Sequence, residues 1–232
     1  MLRLAAVVTI AALASAAGSA RQDYPHAFPR TGTRQIVDTP RVTVWEVNWI
    51  HGVPQPYHRH RYDMAGVYLR FGEITVTRPD GTATTGQAFD VPRPYFQPRG
   101  ITHKEEAKGR PGDPERLAIM LDLKDVPEAE TPLPGGTPDA FPRDGATNVL
   151  ENDRVRMWDY TWTAGEAATM RRYAHDAVEV IVAAGTLLIR TPDGGETTRM
   201  VAPKEARFVP RGTVEAIEAR TGTPRAIVVE LK

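Results

Sequence analysis

The sequence repeats itself, and this limits the folds open to the chain more than any other feature. Phe28 to Gly81 aligns with Phe141 to Gly194 at a constant offset of 113, without a gap across 54 positions, 16 of them identical. Phe28-Pro29-Arg30 returns as Phe141-Pro142-Arg143, Trp45 and Trp49 as Trp158 and Trp162, and Pro79-Asp80-Gly81 as Pro192-Asp193-Gly194. After a small gap Pro98-Arg99-Gly100 matches Pro210-Arg211-Gly212, and both copies end alike at Ile119 to Lys124 and Ile227 to Lys232. Self-similarity of this length predicts two copies of one domain, each large enough for a core.

The copies are expected at 21–124 and 141–232. Between them, 125–140 contains Pro127, Pro132, Pro134, Pro138 and Gly135-Gly136, with four acidic residues and no basic one. It reads as a solvated, semi-extended linker. Residues 1–20 read as a secretory signal peptide: Arg3, an apolar run from Leu4 to Ala14, then small residues ending Gly18-Ser19-Ala20. Cleavage is expected after Ala20, with Ala17 as the rival position. The run is shorter than the roughly 18 residues that span a bilayer, so no stable membrane anchor is expected and the mature protein is placed in the periplasm or outside the cell. Lys plus Arg and Asp plus Glu are equal at 29 each, and no Lys/Arg run exceeds two residues, which argues against nucleic acid as a partner. The absence of cysteine excludes disulfides, thiolate metal sites and Cys nucleophiles.

Within each copy the pattern is β. Val42 and Val44, with Val47, alternate with polar residues, and Trp45 and Trp49 imply that both faces are partly covered. Gly66 to Phe71 and Ile74 to Thr77 are short β-prone runs, with counterparts at Val178 to Ala183 and Leu187 to Arg190. The Pro-Asp-Gly triplets are turn signals. Short strands bounded by turns predict an all-β sandwich or barrel. The four Trp residues are expected to pack in the core or at an interface.

The chemistry lies with the histidines. His58-Arg59-His60 sits on a predicted strand, where a two-residue spacing puts both imidazoles on one face. His103 enters a later strand that an antiparallel fold can bring beside them. Three neutral imidazoles suit Zn, Fe, Cu, Ni or Mn, with open positions left for water or substrate. By the same alternation Tyr62 and Tyr68 share the histidine face and are candidate proton donors or orienters. Arg59 and Arg61 point away from it. Glu105-Glu106 reads as exposed, and His26 and His51 as loop or surface residues.

These residues resemble the two motifs of the cupin superfamily. The first, Gly, five residues and then His-x-His, stands as Gly52 to His60; the second, Pro-x-Gly-x-x-His, stands as Pro98 to His103. Counting both copies, the resemblance covers nearly all of the mature chain and is that of a bicupin. It implies two tandem antiparallel jelly-roll barrels related by the internal repeat, with a metal or ligand in the mouth of at least one. Two departures stand out. The fourth family ligand, a Glu after His-x-His, is missing, because the repeat sets Gly66 opposite Glu179. Some cupins, notably the thiol dioxygenases, resemble this arrangement in using three histidines with iron. Asp63, the nearest carboxylate, is aimed outward unless a bulge intervenes. In the second copy Arg171, Tyr173 and Glu215 stand opposite His58, His60 and His103. There Arg171 is expected to pair with Glu179 or Glu215 in a hydrogen-bonded ion cluster in place of a metal, with His175 out of phase.

Two classes of function follow. One is a metal-dependent enzyme on a small molecule, with His58, His60 and His103 as ligands and dioxygenase-like or Lewis-acid chemistry. The other is a non-catalytic protein that binds a small ligand or a metal, its histidines a relic. The sequence leaves association into a homodimer open.

Overall fold

The computed structural model describes residues 23–110, 112–130, 132–133, 135–166 and 168–232; the expected signal peptide lies outside them. The first half runs β1 (Thr33–Asp38), β2 (Val42–Trp49), β3 (Gln55–Arg59), β4 (Asp63–Arg70), β5 (Ile74–Thr77), β6 (Ala83–Thr85), β7 (Arg93–Gln97), β8 (Thr102–Ala107) and β9 (Arg116–Leu123). The second runs β10 (Thr147–Glu151), β11 (Val155–Thr161), β12 (Arg171–Arg172), β13 (Ala177–Arg190), β14 (Glu196–Val201), β15 (Ala206–Val209) and β16 (Val214–Leu231). The fold is all-β and its strand pairs are antiparallel. Among the described residues no helix is long and apolar enough to cross a membrane.

The first half forms a five-stranded sheet, β1-β2-β9-β4-β7, and a four-stranded sheet, β3-β8-β5-β6. Phe28, Trp45, Val47, Trp49, Met64, Tyr68 and Met120 pack with Ile74 and Ala107 of the smaller sheet, so this core lies between the two. The second half follows the same order, β10-β11-β16-β13, with β15 on β13 where the first half has β7 on β4. It differs in one respect: its strands belong to a single sheet that stays open. Val178 to Ala183 and Leu187 to Arg190, expected as two strands, run together in β13 through shifts of register near Ala183 and Gly185. Likewise β16 joins what the first half divides into β8 and β9. The first half is four residues longer there, and Gly109, Gly112 and Pro114 interrupt pairing.

Strand β9 is buried along its whole length. On one side lies the core just described. On the other, Val42, Val44, Ala65, Val67, Ile119 and Leu121 pack against Val155, Met157, Val178, Val180, Ile227 and Val229 of the second half. β2 therefore divides its residues between two cores, Val42 and Val44 facing the other half and Trp45, Val47 and Trp49 facing inward. Val47 thus groups with the tryptophans and not with Val42 and Val44, as strict alternation requires.

Ion pairs across this interface are reciprocal. Arg41 lies 3.0 Å from Asp176, and Arg154, its repeat counterpart, lies 3.2 Å from Asp63, the counterpart of Asp176. Such reciprocity is what a two-fold relation between the halves requires. The acidic segment between the halves is not a free spacer. Asp125 accepts hydrogen bonds from Arg99 and Arg154, and Glu128 from Arg41, His175 and the Asp176 backbone N–H. The linker carboxylates thereby balance arginines that the interface brings together.

Candidate metal centre

The antiparallel pairing of β3 with β8 sets His58 directly opposite His103. His60 lies just beyond the end of β3, held by its own N–H to the Ile101 carbonyl at 3.0 Å and by the Gly100 N–H to its carbonyl at 2.7 Å. The turn that returns the chain places Gly100 at φ 89°, which a residue with a Cβ rarely adopts. This accounts for the glycine of Pro98-Arg99-Gly100. All three histidines are buried, and one nitrogen from each lies within 4.8 Å of the others.

The donor set fits a first-row divalent ion. The Nδ1–H of His58 donates to the Pro56 carbonyl at 3.0 Å, which leaves Nε2 as the free ligand atom. His60 Nε2 and His103 Nε2 face each other at 3.4 Å. Nitrogens bound at about 2.0–2.1 Å to a tetrahedral ion stand about 3.3–3.4 Å apart. Burial lowers His58 to about 4, with Glu105 opposing only in part, and burial together with His103 and His58 lowers His60 to about 3. Both rings are thus neutral at ordinary pH, the form that metal binding needs.

A carboxylate also reaches the cluster, and it comes from a strand where none was expected. Glu105 is buried, with Oε1 3.4 Å from His103 Nε2 and Oε2 accepting from Arg30 and from the Trp49 indole, each at 2.8 Å. Burial alone would raise this carboxyl, but the Arg30 guanidinium and His103 hold it below the usual range. The reading of Glu105-Glu106 as exposed is therefore corrected for Glu105. His103, Glu105 and Ala107 turn inward on β8 while Lys104 and Glu106 turn out. The signal was the alternation itself, counted from His103.

Gly66, where the cupin motif has Glu, has no room for a side chain. A Cβ there would lie 2.3 Å from Met120 Sδ and 2.8 Å from the Ile119 carbonyl. Asp63 does face away from the histidines, as expected, yet it is buried. It accepts the Arg99 N–H at 2.9 Å and pairs with Arg154.

The two tyrosines part company. Residues 60–62 form a turn between β3 and β4, so alternation does not carry through to Tyr62. Its ring packs edge-on to His26 at 5.4 Å, away from the triad. His26 is itself more than a loop residue: Nε2 lies 3.0 Å from Asp122. Tyr68 lines the cavity beside His58 and His60, together with Arg30, Met64, Tyr95, Gln97 and Glu105. Burial raises its hydroxyl above the ordinary range, so it keeps its proton. The inner cavity measures about 20 Å³, room for about one water or ion. It adjoins an open cleft of about 590 Å³, which His103, Glu105, Tyr68, Tyr95 and Gln97 also line. The repeated Phe-Pro-Arg could have pointed to Arg30, and Trp49 supports Glu105 as well as packing. Nothing in the sequence marked Tyr95 or Gln97.

In the second half Arg171 pairs with Glu215 in the register that joins His58 to His103. The ion cluster forms there, but its cation is Arg207. Arg207 Nε lies 2.8 Å from Glu179 and Nη1 lies 3.1 Å from Glu215, while the Tyr173 hydroxyl donates to Glu179 at 2.5 Å. Arg171 instead donates to the Asp139 carbonyl at 3.0 Å, because its strand directs it to the end of the linker. Arg207 faces Glu179 across β15 and β13, where the first half sets Tyr95 opposite Gly66. Carboxylate and guanidinium enter this site together.

The architecture matches proteins of known structure, cupin proteins among them. A cupin 2 conserved barrel domain protein from Leptotrichia buccalis aligns over 86% of this chain and 88% of its own, with TM-score 0.53 and 14% identity. AerE from Microcystis aeruginosa aligns over 90% and 99%, with TM-score 0.54 and 11% identity. A deletion mutant of Bacillus subtilis oxalate decarboxylase aligns over 90% and 75%, with TM-score 0.56 and 12% identity. The oxalate decarboxylase of Bacillus subtilis has Mn(II) centres. At these identities the likeness defines the fold, which is the cupin fold. No family model matches the sequence, and no curated protein matches it.

Proposed function

We propose that the chain is an exported bicupin, two tandem jelly-roll barrels, with one divalent transition metal on His58, His60 and His103 and enzymatic activity on a small molecule. The observation that carries this is the triad: three buried imidazoles, two of them neutral by burial, with one nitrogen of each within 4.8 Å of the others and those of His60 and His103 at the separation an ion imposes. When bound, the ion supplies Lewis acidity, or redox chemistry if it is iron, manganese or copper. The protein does the rest. Pro56 fixes the tautomer of His58; Arg30 and Trp49 hold Glu105 ionised beside His103; Tyr68 keeps an O–H on the cavity wall that can orient a substrate oxygen or give it a proton. The Mn(II) centres of oxalate decarboxylase make manganese a candidate beside iron and zinc. The second half, with Arg207 between Glu179 and Glu215, is assigned a structural role.

The alternative is a protein that binds a small ligand without turnover. The absence of a carboxylate at Gly66 favours it, as does the engagement of Glu105 by Arg30 and Trp49.

Elemental analysis of untagged protein purified from the periplasm tests the proposal. About one equivalent of a first-row metal per chain is expected, and His58→Ala should remove it while the circular dichroism of the fold is unchanged. Stoichiometric metal retained in His58→Ala would overturn the ligand assignment. Protein that takes up no ion, even when each is supplied, would leave the binding-protein reading.

A further inference from the structure

The second half repeats a hydrogen-bonded trio of the first with its acid removed. In the first half Arg30 Nη2 and the Trp49 indole N–H meet on one oxygen, Oε2 of Glu105, each at 2.8 Å. The repeat sets Arg143 opposite Arg30, Trp162 opposite Trp49 and Ile217 opposite Glu105. Guanidinium and indole are kept, and the carboxylate is lost. Arg143, Trp162 and Ile217 still share the wall of one small cavity, with Tyr160 and Ala219. Trp162 is 3% exposed, and among the described residues its Nε1–H has no acceptor. Arg143 lies over the Tyr160 ring, 4.2 Å from its centre, and also meets its hydroxyl. That ring stands edge-on to Trp162 at 5.2 Å, so the three side chains form one continuous wall.

A buried indole N–H without an acceptor costs its desolvation unless a ligand supplies one. The charge around the cavity asks for a negative ligand. Arg207 engages both buried carboxylates of this half's ion cluster, Glu179 and Glu215. Arg171, in the place of His58, has a buried Nε–H with no acceptor among the described residues. Burial pushes the Arg143 guanidinium below its ordinary value; Tyr160 opposes this, and the repulsion of Arg171 adds to it. Two carboxylates also reach the cavity wall. Glu218 is held by Arg190 and Arg220, each at 2.9 Å, and Glu166 is exposed. Water would satisfy the indole but not the charge. The cavity measures about 10 Å³, room for one water-sized particle and too little for a ligand with a body. A monatomic anion accepts a hydrogen bond from any direction, and it needs no paired donors of fixed geometry.

We infer that the second half holds one small monovalent anion, of the size of chloride, on the indole N–H of Trp162. The ion takes the place that a Glu105 oxygen fills in the first half, and Arg143 supplies the opposite charge. It is a structural ligand, which replaces a carboxylate lost from one copy of the repeat. No histidine takes part, so its binding does not depend on the metal centre.

NMR of the full mature chain, labelled with heavy nitrogen at its tryptophan indoles, tests this. Sodium chloride and sodium bromide are titrated against sodium sulfate at one ionic strength, and Trp162→Phe identifies the Trp162 signal. That signal should shift and saturate with chloride and with bromide, and stay in place with sulfate. Arg143→Gln should weaken the halide at least about tenfold, the scale of a charge-assisted hydrogen bond. Ile217→Glu restores the carboxylate of the first half and should abolish the response, because the site is then filled from within. His58→Ala should leave halide affinity within about twofold, the metal centre being in the other half. Should Ile217→Glu fail to fold, Arg143→Gln decides, because Arg143 is only half-buried. A Trp162 signal that does not move, or that drifts without saturating together with the other indoles, would overturn the inference and leave water in the cavity. An equal response to sulfate, or an undiminished one in Arg143→Gln or Ile217→Glu, would also overturn it.

Discussion

His58 and His60 make a site that resists protons, and the sign of the consequence can be worked out. Their ordinary value is about 6.5. Burial lowers them to about 4 and about 3 in the fold. As pH falls below 6.5 the unfolded chain takes up protons that the folded chain refuses, so stability falls with pH down to the folded values. Above 6.5 neither form is protonated and the effect vanishes. For His58 the full span corresponds to on the order of 3 kcal/mol. Urea unfolding of metal-free protein should therefore show a lower midpoint at pH 5 than at pH 7.5. The difference should shrink when His58 and His60 are both replaced by Gln, which does not titrate. A midpoint that rises on acidification in the wild type, relative to that variant, would contradict the neutral assignment. Glu105 belongs to the same scale. Period-two reading from His103 would have found it, and treating adjacent glutamates as a solvated pair concealed it.

At the scale of the element, much was legible and the losses have physical causes. The β class, the turns and the His58–His103 pairing follow from alternation and from Gly100 within the second motif. Tyr62 was lost because a turn resets the phase that joins one strand to the next. The merging of two short runs into β13 was lost because a run of apolar residues does not reveal whether the strand bends at a bulge or stops. What interrupts β8 and β9 is a short insertion with Gly109, Gly112 and Pro114, and its absence lets β16 run through. The missing ligand at Gly66 also belongs here, because the thioether of Met120 on the paired strand β9 fills the space. Gly66→Ala should cost about 1–3 kcal/mol by overpacking. Adding Met120→Val, which copies the Val228 of the second half, should recover part of that loss and not all, because the Ile119 carbonyl remains 2.8 Å from the new Cβ. Thermal unfolding of the two variants measures both. Full recovery would mean that the backbone can give way at this point.

For the whole molecule the interface between halves sets the architecture, and its charges were hidden from the sequence. Arg41 and Arg154 match in the repeat, as do Asp63 and Asp176, but which arginine meets which carboxylate depends on how the halves dock. Removing Arg154 leaves the buried Asp63 with Arg99 at 3.5 Å as its remaining ion-pair partner. Arg154→Ala should cost roughly 1–3 kcal/mol, as for a hydrogen bond to a charged group. Arg34→Ala, which breaks an exposed pair with Glu46, should cost less than about 1 kcal/mol. Chemical denaturation of both variants at one salt concentration makes the comparison, and equal losses would show that the interface pairs are no more than surface pairs.

The doubly buried sheet of the first half gives the chain two unequal kinds of sequence freedom. One face of β2, β4 and β9 encloses the histidine cavity and the other is sealed by Val155, Met157, Val178, Val180, Ile227 and Val229. On the proposed function, the second half serves as a cover whose duty lies on its outward face. Substitutions in its interior, where Arg207 sits between two carboxylates, are screened only for filling space and balancing charge. Substitutions on the covering face bear on the geometry of a site they never touch, because they set the position of the strand that carries Met120. A library that randomises the two faces separately should therefore find variants that still bind metal far more often when the interior positions vary than when the covering ones do.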